Sequence, residues 1–423
     1  MSRSLTIRNI RISDPNSPFH AQQCDVRIED GLIAEISPNI STPSDQDIDG
    51  QSAWLSPGWV DPFVRIPDPG EPWKESLESA SAAAQEAGFT QVLALCGRKP
   101  KSDLPETVST VLERSRNLAC QILPLALCSE SGEGKELSEM HLLKQAGAHA
   151  FCDGIHASPL QSSRLKTRQY AHSLNLSVWS HPCMSGWVGE AKMHEGNVNA
   201  GLGLKGIPSM AEFVELQADL ELMRYTGAPL RVLAISCKES VELIRQAKSE
   251  GLPVWASVPL LNLLETDSAL EGFDECFKVL PPLRSEEDRL ALWEGLKDGT
   301  IDAIVSNHHP EDIESSLVEF DYSPYGAATL PLFWPALLKA NSNMDVDQLV
   351  ECLHRRSRQF CGLDSLSLQV GQVAHLTLFD AQGETVVGFN SSSIAANVPY
   401  KNQAMKGRVW GTVCGGVWKG VSA

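Results

Sequence analysis

The sequence predicts an α/β protein. A (β/α)8 TIM barrel spans residues 56–364, and a small β-sandwich domain is built from both termini, residues 1–55 and 365–423. Three observations carry this. Eight short apolar runs alternate with amphipathic helical stretches through the middle of the chain, the pattern of a parallel sheet wrapped by helices. Both ends read instead as short alternating strands with glycine turns, so two all-β segments meet from opposite ends of the chain. Finally, 423 residues with 42% hydrophobic and 21% charged side chains can bury a large core and make no case for disorder.

The elements follow in order. LTIRNIRIS alternates apolar and polar positions, and CDVRIEDGLIAEI does the same around a hairpin turn at Asp30 and Gly31. The barrel strands are then WVDPFV (59–64), QVLALCG (91–97), QILPLALC (121–128), HAFCD (149–153), LSVWSH (176–181), LRVLAIS (230–236), LPVWASV (252–258) and DAIVSN (302–307). Between them fall helices over 74–88, 106–117, 238–251 and 285–299, several closed by glycine, which accepts the left-handed conformation after a last turn. The longest insertion, 308–344, follows the eighth run. VAHLTLFD, GETVVGF and GRVWGTVCGGVWKG return to short strands at the C-terminal end.

Composition narrows the function. No apolar run approaches the roughly 18 residues of a membrane helix, and MSRSLTIRNI has no apolar leader segment. Lysine and arginine total 35 against 53 acidic residues, a net charge of −18, with no dense basic cluster; this argues against nucleic acid as a partner. Eleven scattered cysteines without C-x-x-C spacing read as a reduced, cytoplasmic protein. Cys96, Cys120 and Cys237 sit in apolar runs, where a thiol packs as a small hydrophobe.

Chemistry in such a barrel sits at the C-terminal strand ends. That directs attention to Phe63, Arg65, Gly97, Asp153, His181, Ala234, Leu280, and Asn307 with His308.

Around these residues the chain resembles dihydroorotases of the cyclic amidohydrolase superfamily. WLSPGWVDPFVRIPDPGEPWKESLESASAAAQEAGFTQVLAL is similar to the family's "PGxVDxHxHxREPG" opening, and LGLKGIPSMAEFVELQADLEL to its "LGLPGIPxxAE" stretch. The likeness continues through CKESVELIRQAKSEGLPV, KVLPPLRSEEDRLALWEGLKDGTIDAIVS, FDYSPYGAATLPLF and VPYKNQAMKGRVWGTVCGGVWKG. It implies a metal-dependent amidohydrolase type of barrel, in which one or two metal ions activate water.

The same resemblance places unsuitable residues at the metal positions. The family's H-x-H pair aligns with Phe63 and Arg65, the sixth-strand histidine with Ala234, and the eighth-strand aspartate with Asn307, beside His308. A phenyl ring has no lone pair to give, and a guanidinium stays protonated. Asp153 and His181 alone keep ligand types, and two ligands do not make a zinc site. The substrate-gripping arginine and two asparagines of the family align with Pro67, Gly97 and Leu280.

Taken together, the resemblance implies a catalytically inactive homologue, a pseudoenzyme without cofactor. It would serve as an assembly subunit for aspartate carbamoyltransferase catalytic chains in pyrimidine biosynthesis, as a homo- or hetero-oligomer. The alternative is residual or altered cyclic amidohydrolase activity, with zinc or metal-free, through Asp153, His181 and His308. Arg65 could fill the vacated metal position beside Asp153. His308, His309, His194 and Cys183 could form a new metal site, though adjacent side chains usually diverge, and Cys183 could act as a nucleophile with His181. Trp73 and Trp187, in loops of the top face, could fill an emptied pocket or mark a protein contact.

Overall fold

The computed structural model describes residues 4–97, 101–154, 161–341 and 343–421. The N-terminal segment supplies β1 (Ser4–Ile12), β2 (Gln23–Glu29), β3 (Leu32–Ser37), β4 (Gln46–Asp49) and β5 (Trp54–Pro57). Four parallel barrel strands follow: β6 (Trp59–Ile66), β7 (Phe89–Cys96), β8 (Gln121–Ala126) and β9 (Ala150–Phe151). The second four are β10 (Trp179–Ser180) and, beyond a short parallel pair β11 (Met193–His194) and β12 (Gly206–Ile207), β13 (Leu230–Val232), β14 (Val254–Pro259) and β15 (Ala303–Val305). Single bridges from Phe151 to Val178 and from Val64 to His308 join the two halves and close the ring. The chain returns as β16 (Leu376–Val386), β17 (Ala404–Cys414) and β18 (Val417–Gly420).

Burial on both faces explains the continuous apolar runs. All eight residues of β7 are buried, because helices cover one side and the barrel interior the other. Val60, Leu93, Leu125, Ala150, Leu233 and Ala303 are packed in one interior cluster. The helices form where their sequences predict them, as Leu77–Glu86, Pro105–Ser115, Lys238–Ser249 and Glu286–Asp298. Ser76 with Ser79 and Ser285 with Asp288 make reciprocal capping boxes, which satisfy otherwise orphaned first-turn amides.

The terminal strands form one sheet in the order β18-β17-β16-β5-β1-β2-β3, with β4 also pairing β1. Antiparallel pairing of β16 with β5, Leu376 opposite Pro57 through Phe379 opposite Trp54, ties the C-terminal segment to the N-terminal one. Ile7, Ile10, Val26, Leu55, Leu376 and Leu378 pack in the core of this sheet. Where it meets the barrel, Trp59, Trp334 and Phe379 pack at tilted to edge-on angles with each pair of ring centroids 5.0 Å apart. Trp59 and Trp334 are therefore core residues. Trp73 and Trp187 are 61% and 41% exposed, so neither fills a pocket. Among the described residues, no helix is long and apolar enough to cross a membrane.

Candidate active site

The first half of the barrel mouth is open. Along β6, whose register shifts between Asp61 and Val64, Val60 and Phe63 pack in the interior cluster, and Arg65 follows at the upper end. Phe63 is 3% exposed. Its backbone N–H donates to Asp61 Oδ1 at 3.2 Å, and Ser306 N donates to the same oxygen at 3.1 Å. Burial pushes the Asp61 carboxyl up to about 7. The Arg65 backbone N–H donates to the His308 carbonyl at 2.9 Å, stitching β6 to the segment after β15.

Above this floor lies a cavity of about 560 Å3 whose wall includes Arg65, Gly97, Lys101, Ser131, Lys135 and Asp153. Gly97 has φ +80°, in the left-handed region, and its N–H donates to the Ile66 carbonyl at 2.9 Å. Asp153 follows β9. Its two oxygens accept from Ser129 N at 2.9 Å and Ser129 Oγ at 3.0 Å, and burial raises its carboxyl. Arg65 Nη1 is 4.0 Å from the point where a Cβ on the adjoining Gly154 would stand.

The opposite half is filled. Ala234, at φ +57°, is buried in the same cluster as Leu280, and its N–H donates to Ser257 Oγ at 3.1 Å. Asn307 donates from Nδ2 to the Leu280 carbonyl at 2.9 Å. His308 is fully buried, accepting from Thr329 N at 3.1 Å on Nδ1, with Nε2 3.6 Å from the buried Glu75. It cannot meet substrate at the mouth, which corrects its expected catalytic use.

His181 is buried and shares a small cavity of about 60 Å3 with Asp153. Beside it Asp219 is held by Arg164 and Arg168, both at 2.7 Å, and by Ser180 Oγ. Burial pushes the neighbouring Glu215 up to about 7.

The candidate metal cluster of His308, His309, His194 and Cys183, whose spacing is not ligand-like, does not form among the described residues. His309 Nε2 is 3.9 Å from Glu311, whereas His194 Nδ1 is 3.2 Å from Arg284 Nη1. Burial and Arg284 lower His194 to about 4, so it is neutral. Burial pushes the Cys183 thiol up to about 12, which leaves no thiolate for nucleophilic attack at neutral pH. Among the described residues, no three His, Cys, Asp or Glu side chains converge to hold a metal ion.

Sequence reasoning missed the ion pair behind the second half. Glu212 accepts from Ser236 N at 2.8 Å, from Ser236 Oγ, and from Cys237 N at 3.2 Å, with Arg284 Nη2 at 3.5 Å. Arg284 also donates to Ser236 Oγ at 3.0 Å and to the Ile207 carbonyl at 3.1 Å. The available signal was that the LGLKGIPSMAE and PPLR stretches end in these two charges.

A divalent cation does not fit the donor set present. At the aligned positions Phe63 and Ala234 offer no donor atom, Arg65 carries a positive charge, and Asn307, whose Nδ2 donates to Leu280, offers a neutral amide oxygen in place of a carboxylate, so Asp153 and His181 are the ligand types left.

Comparison with known proteins decides the kinship. A protein-family model described as "Dihydro-orotase-like" matches residues 53–240. Dihydroorotase of Trichlorobacter lovleyi is 33% identical over 420 residues, and that of Anaeromyxobacter sp. strain K is 35% identical over 425, each covering 98% of both chains. The chain belongs to the dihydroorotase family. L-hydantoinase from Arthrobacter aurescens superposes with a TM-score of 0.83 at 23% identity over 99% of this chain and 96% of that one. D-hydantoinase from Thermus sp. does so at 0.81 and 20%, over 99% and 97%. These two establish the amidohydrolase fold.

The kinship corrects the expectation of an inactive assembly subunit. Across almost their whole length, the dihydroorotase-family relatives of this chain carry the name of an enzyme, Dihydroorotase. Losing ligand types removes one way of activating water. It leaves intact a cavity with a carboxylate and a fixed cation on its wall.

Proposed function

We propose that this member of the dihydroorotase family opens and closes a cyclic amide of the dihydroorotate type in the cavity over β6 to β9. The observation that carries the reading is the 33–35% identity with proteins named Dihydroorotase over 98% of the chain. The placement of Arg65 and Asp153 on one cavity wall at the strand ends supports it.

In ring opening, a water oxygen bonds to the amide carbonyl carbon, the C–N bond breaks, and the ring nitrogen takes a proton. Asp153, fixed by Ser129 and raised by burial, takes the proton from water and passes it to that nitrogen. Arg65 supplies positive charge to the carbonyl oxygen as it becomes an oxyanion. Closure runs the same steps in reverse and releases water.

The test is turnover of dihydroorotate, and of its ring-opened carbamoyl amino acid, by chelator-treated protein whose metal content has been measured. Turnover in both directions is expected, and Asp153→Asn lowers it about a hundredfold or more with the circular dichroism spectrum unchanged. Absence of turnover in either direction overturns the reading. Association with aspartate carbamoyltransferase chains is a separate proposal, compatible with a working ring hydrolase, and is tested by co-expression and mass measurement.

A further inference from the structure

We propose that the carboxylate of the ligand is gripped by Lys101 and Lys135, at the rim of the mouth cavity, in loops after β7 and β8. This deepens, and rests on, the ring-opening reading. An anionic ring needs a cation beside it. Pro67 and Leu280 carry no charge and Gly97 has no side chain, so the three positions at which the family resemblance expects substrate contacts supply none.

The chain as a whole carries a net charge of −18, yet Arg65, Lys101 and Lys135 all line this one cavity. The acids on the same wall are already engaged. Glu133 pairs with Lys135 at 3.0 Å, and Asp153 accepts a hydrogen bond from Ser129 on each of its two oxygens.

Lys101 is held in place. Its ammonium donates to the Ser131 carbonyl, and Ser131 N donates in turn to Asp103 Oδ2 at 2.7 Å. An ammonium has three donors, so Lys101 keeps donors for a ligand oxygen. Lys135 stands at the outer rim, 68% exposed in its side chain, where it can swing from Glu133 to an incoming anion. Arg65 and Asp153 lie deeper, at the reacting carbonyl. The cavity is of ordinary ligand-site volume, large enough for a ring the size of dihydroorotate with its carboxylate turned to the rim lysines.

The experiment compares dihydroorotate with dihydrouracil, the same ring without its carboxylate, by calorimetry and steady-state kinetics. The proteins are wild type, Lys101→Met, Lys101→Arg, and the Lys101→Met Lys135→Met double variant. The double variant is expected to weaken dihydroorotate binding roughly tenfold or more, the scale of a lost charge-assisted hydrogen bond. KM rises while kcat stays within about twofold, dihydrouracil binding is unchanged, and Lys101→Arg restores most of the loss. Added salt weakens wild-type binding of dihydroorotate more than binding to the double variant.

Equal losses for both ligands would mean that the lysines merely hold the loops, and would overturn the inference. Unchanged KM in a variant that turns over dihydroorotate would overturn it while leaving the ring-opening reading standing. Lysine-dependent dihydroorotate binding in a wild-type protein without turnover would do the opposite, upholding the carboxylate grip and overturning ring opening. No binding of dihydroorotate to wild type overturns both.

Discussion

The two halves of the barrel mouth start from the same architecture and end differently. Over β6 to β9 the strand ends open into a cavity of about 560 Å3 with Arg65 and Asp153 on its wall. Over β13 to β15 the equivalent positions are occupied by buried Ala234, buried Leu280 and an Asn307 amide turned back onto a backbone carbonyl. Behind them the Glu212–Arg284 pair braces the filled half. The contrast teaches that a strand end is a site only where open space remains beside a polar group. Residue type alone does not decide it.

The largest effect should come from the brace. Arg284→Met leaves Glu212 buried without its counter-charge and should cost about 3–5 kcal/mol in urea unfolding. A loss under about 1 kcal/mol would mean that the second half is held by apolar packing alone.

The seam between the halves comes next, because Asp61 of β6 accepts from Ser306 just after β15. Its folded carboxyl titrates near 7, above the ordinary value of 3.8. Between these values the folded state keeps a proton that the unfolded chain has released, so stability falls as pH rises from about 4 to 7 and then levels off. Asp61→Asn removes that contribution. It should be more stable than wild type at pH 8, on the order of 4 kcal/mol, with the difference vanishing near pH 4. A difference independent of pH would sink the assignment.

Ala234→His probes the filled half directly. An imidazole has no room in that cluster, and overpacking should cost about 1–3 kcal/mol. Thermal unfolding with and without zinc checks it, with no zinc-dependent gain expected. The smallest effect belongs to the open half. Gly97→Asn keeps a residue that tolerates the left-handed conformation at φ +80°, so thermal unfolding should show a change in stability of less than about 1 kcal/mol.

Much of the fold was legible because its signals are local. The eight apolar runs are strands or strand edges, and the four named helices form within a few residues of their expected limits. Glycine and serine at helix ends act through backbone groups one to four residues away, a range that sequence spans. The site was legible only in part. Arg65 and Asp153 were visible as strand-end residues, but the pattern gave no sign of Lys101 and Lys135, which come from different loops. His308 misled because its position after the eighth strand says nothing of Thr329 and Glu75, which enclose it.

By itself, then, the order of residues determined the barrel, its helical wrapping and the partnership of the two chain ends, since period and burial on both faces leave few alternatives. It also determined which donor atoms are absent from the mouth, because side-chain chemistry needs no coordinates. Only the tertiary structure decided which strand ends stay open. Cavity volume and committed hydrogen bonds arise from groups far apart in the chain, as when Arg284 reaches Glu212 and the Asn307 amide turns to Leu280.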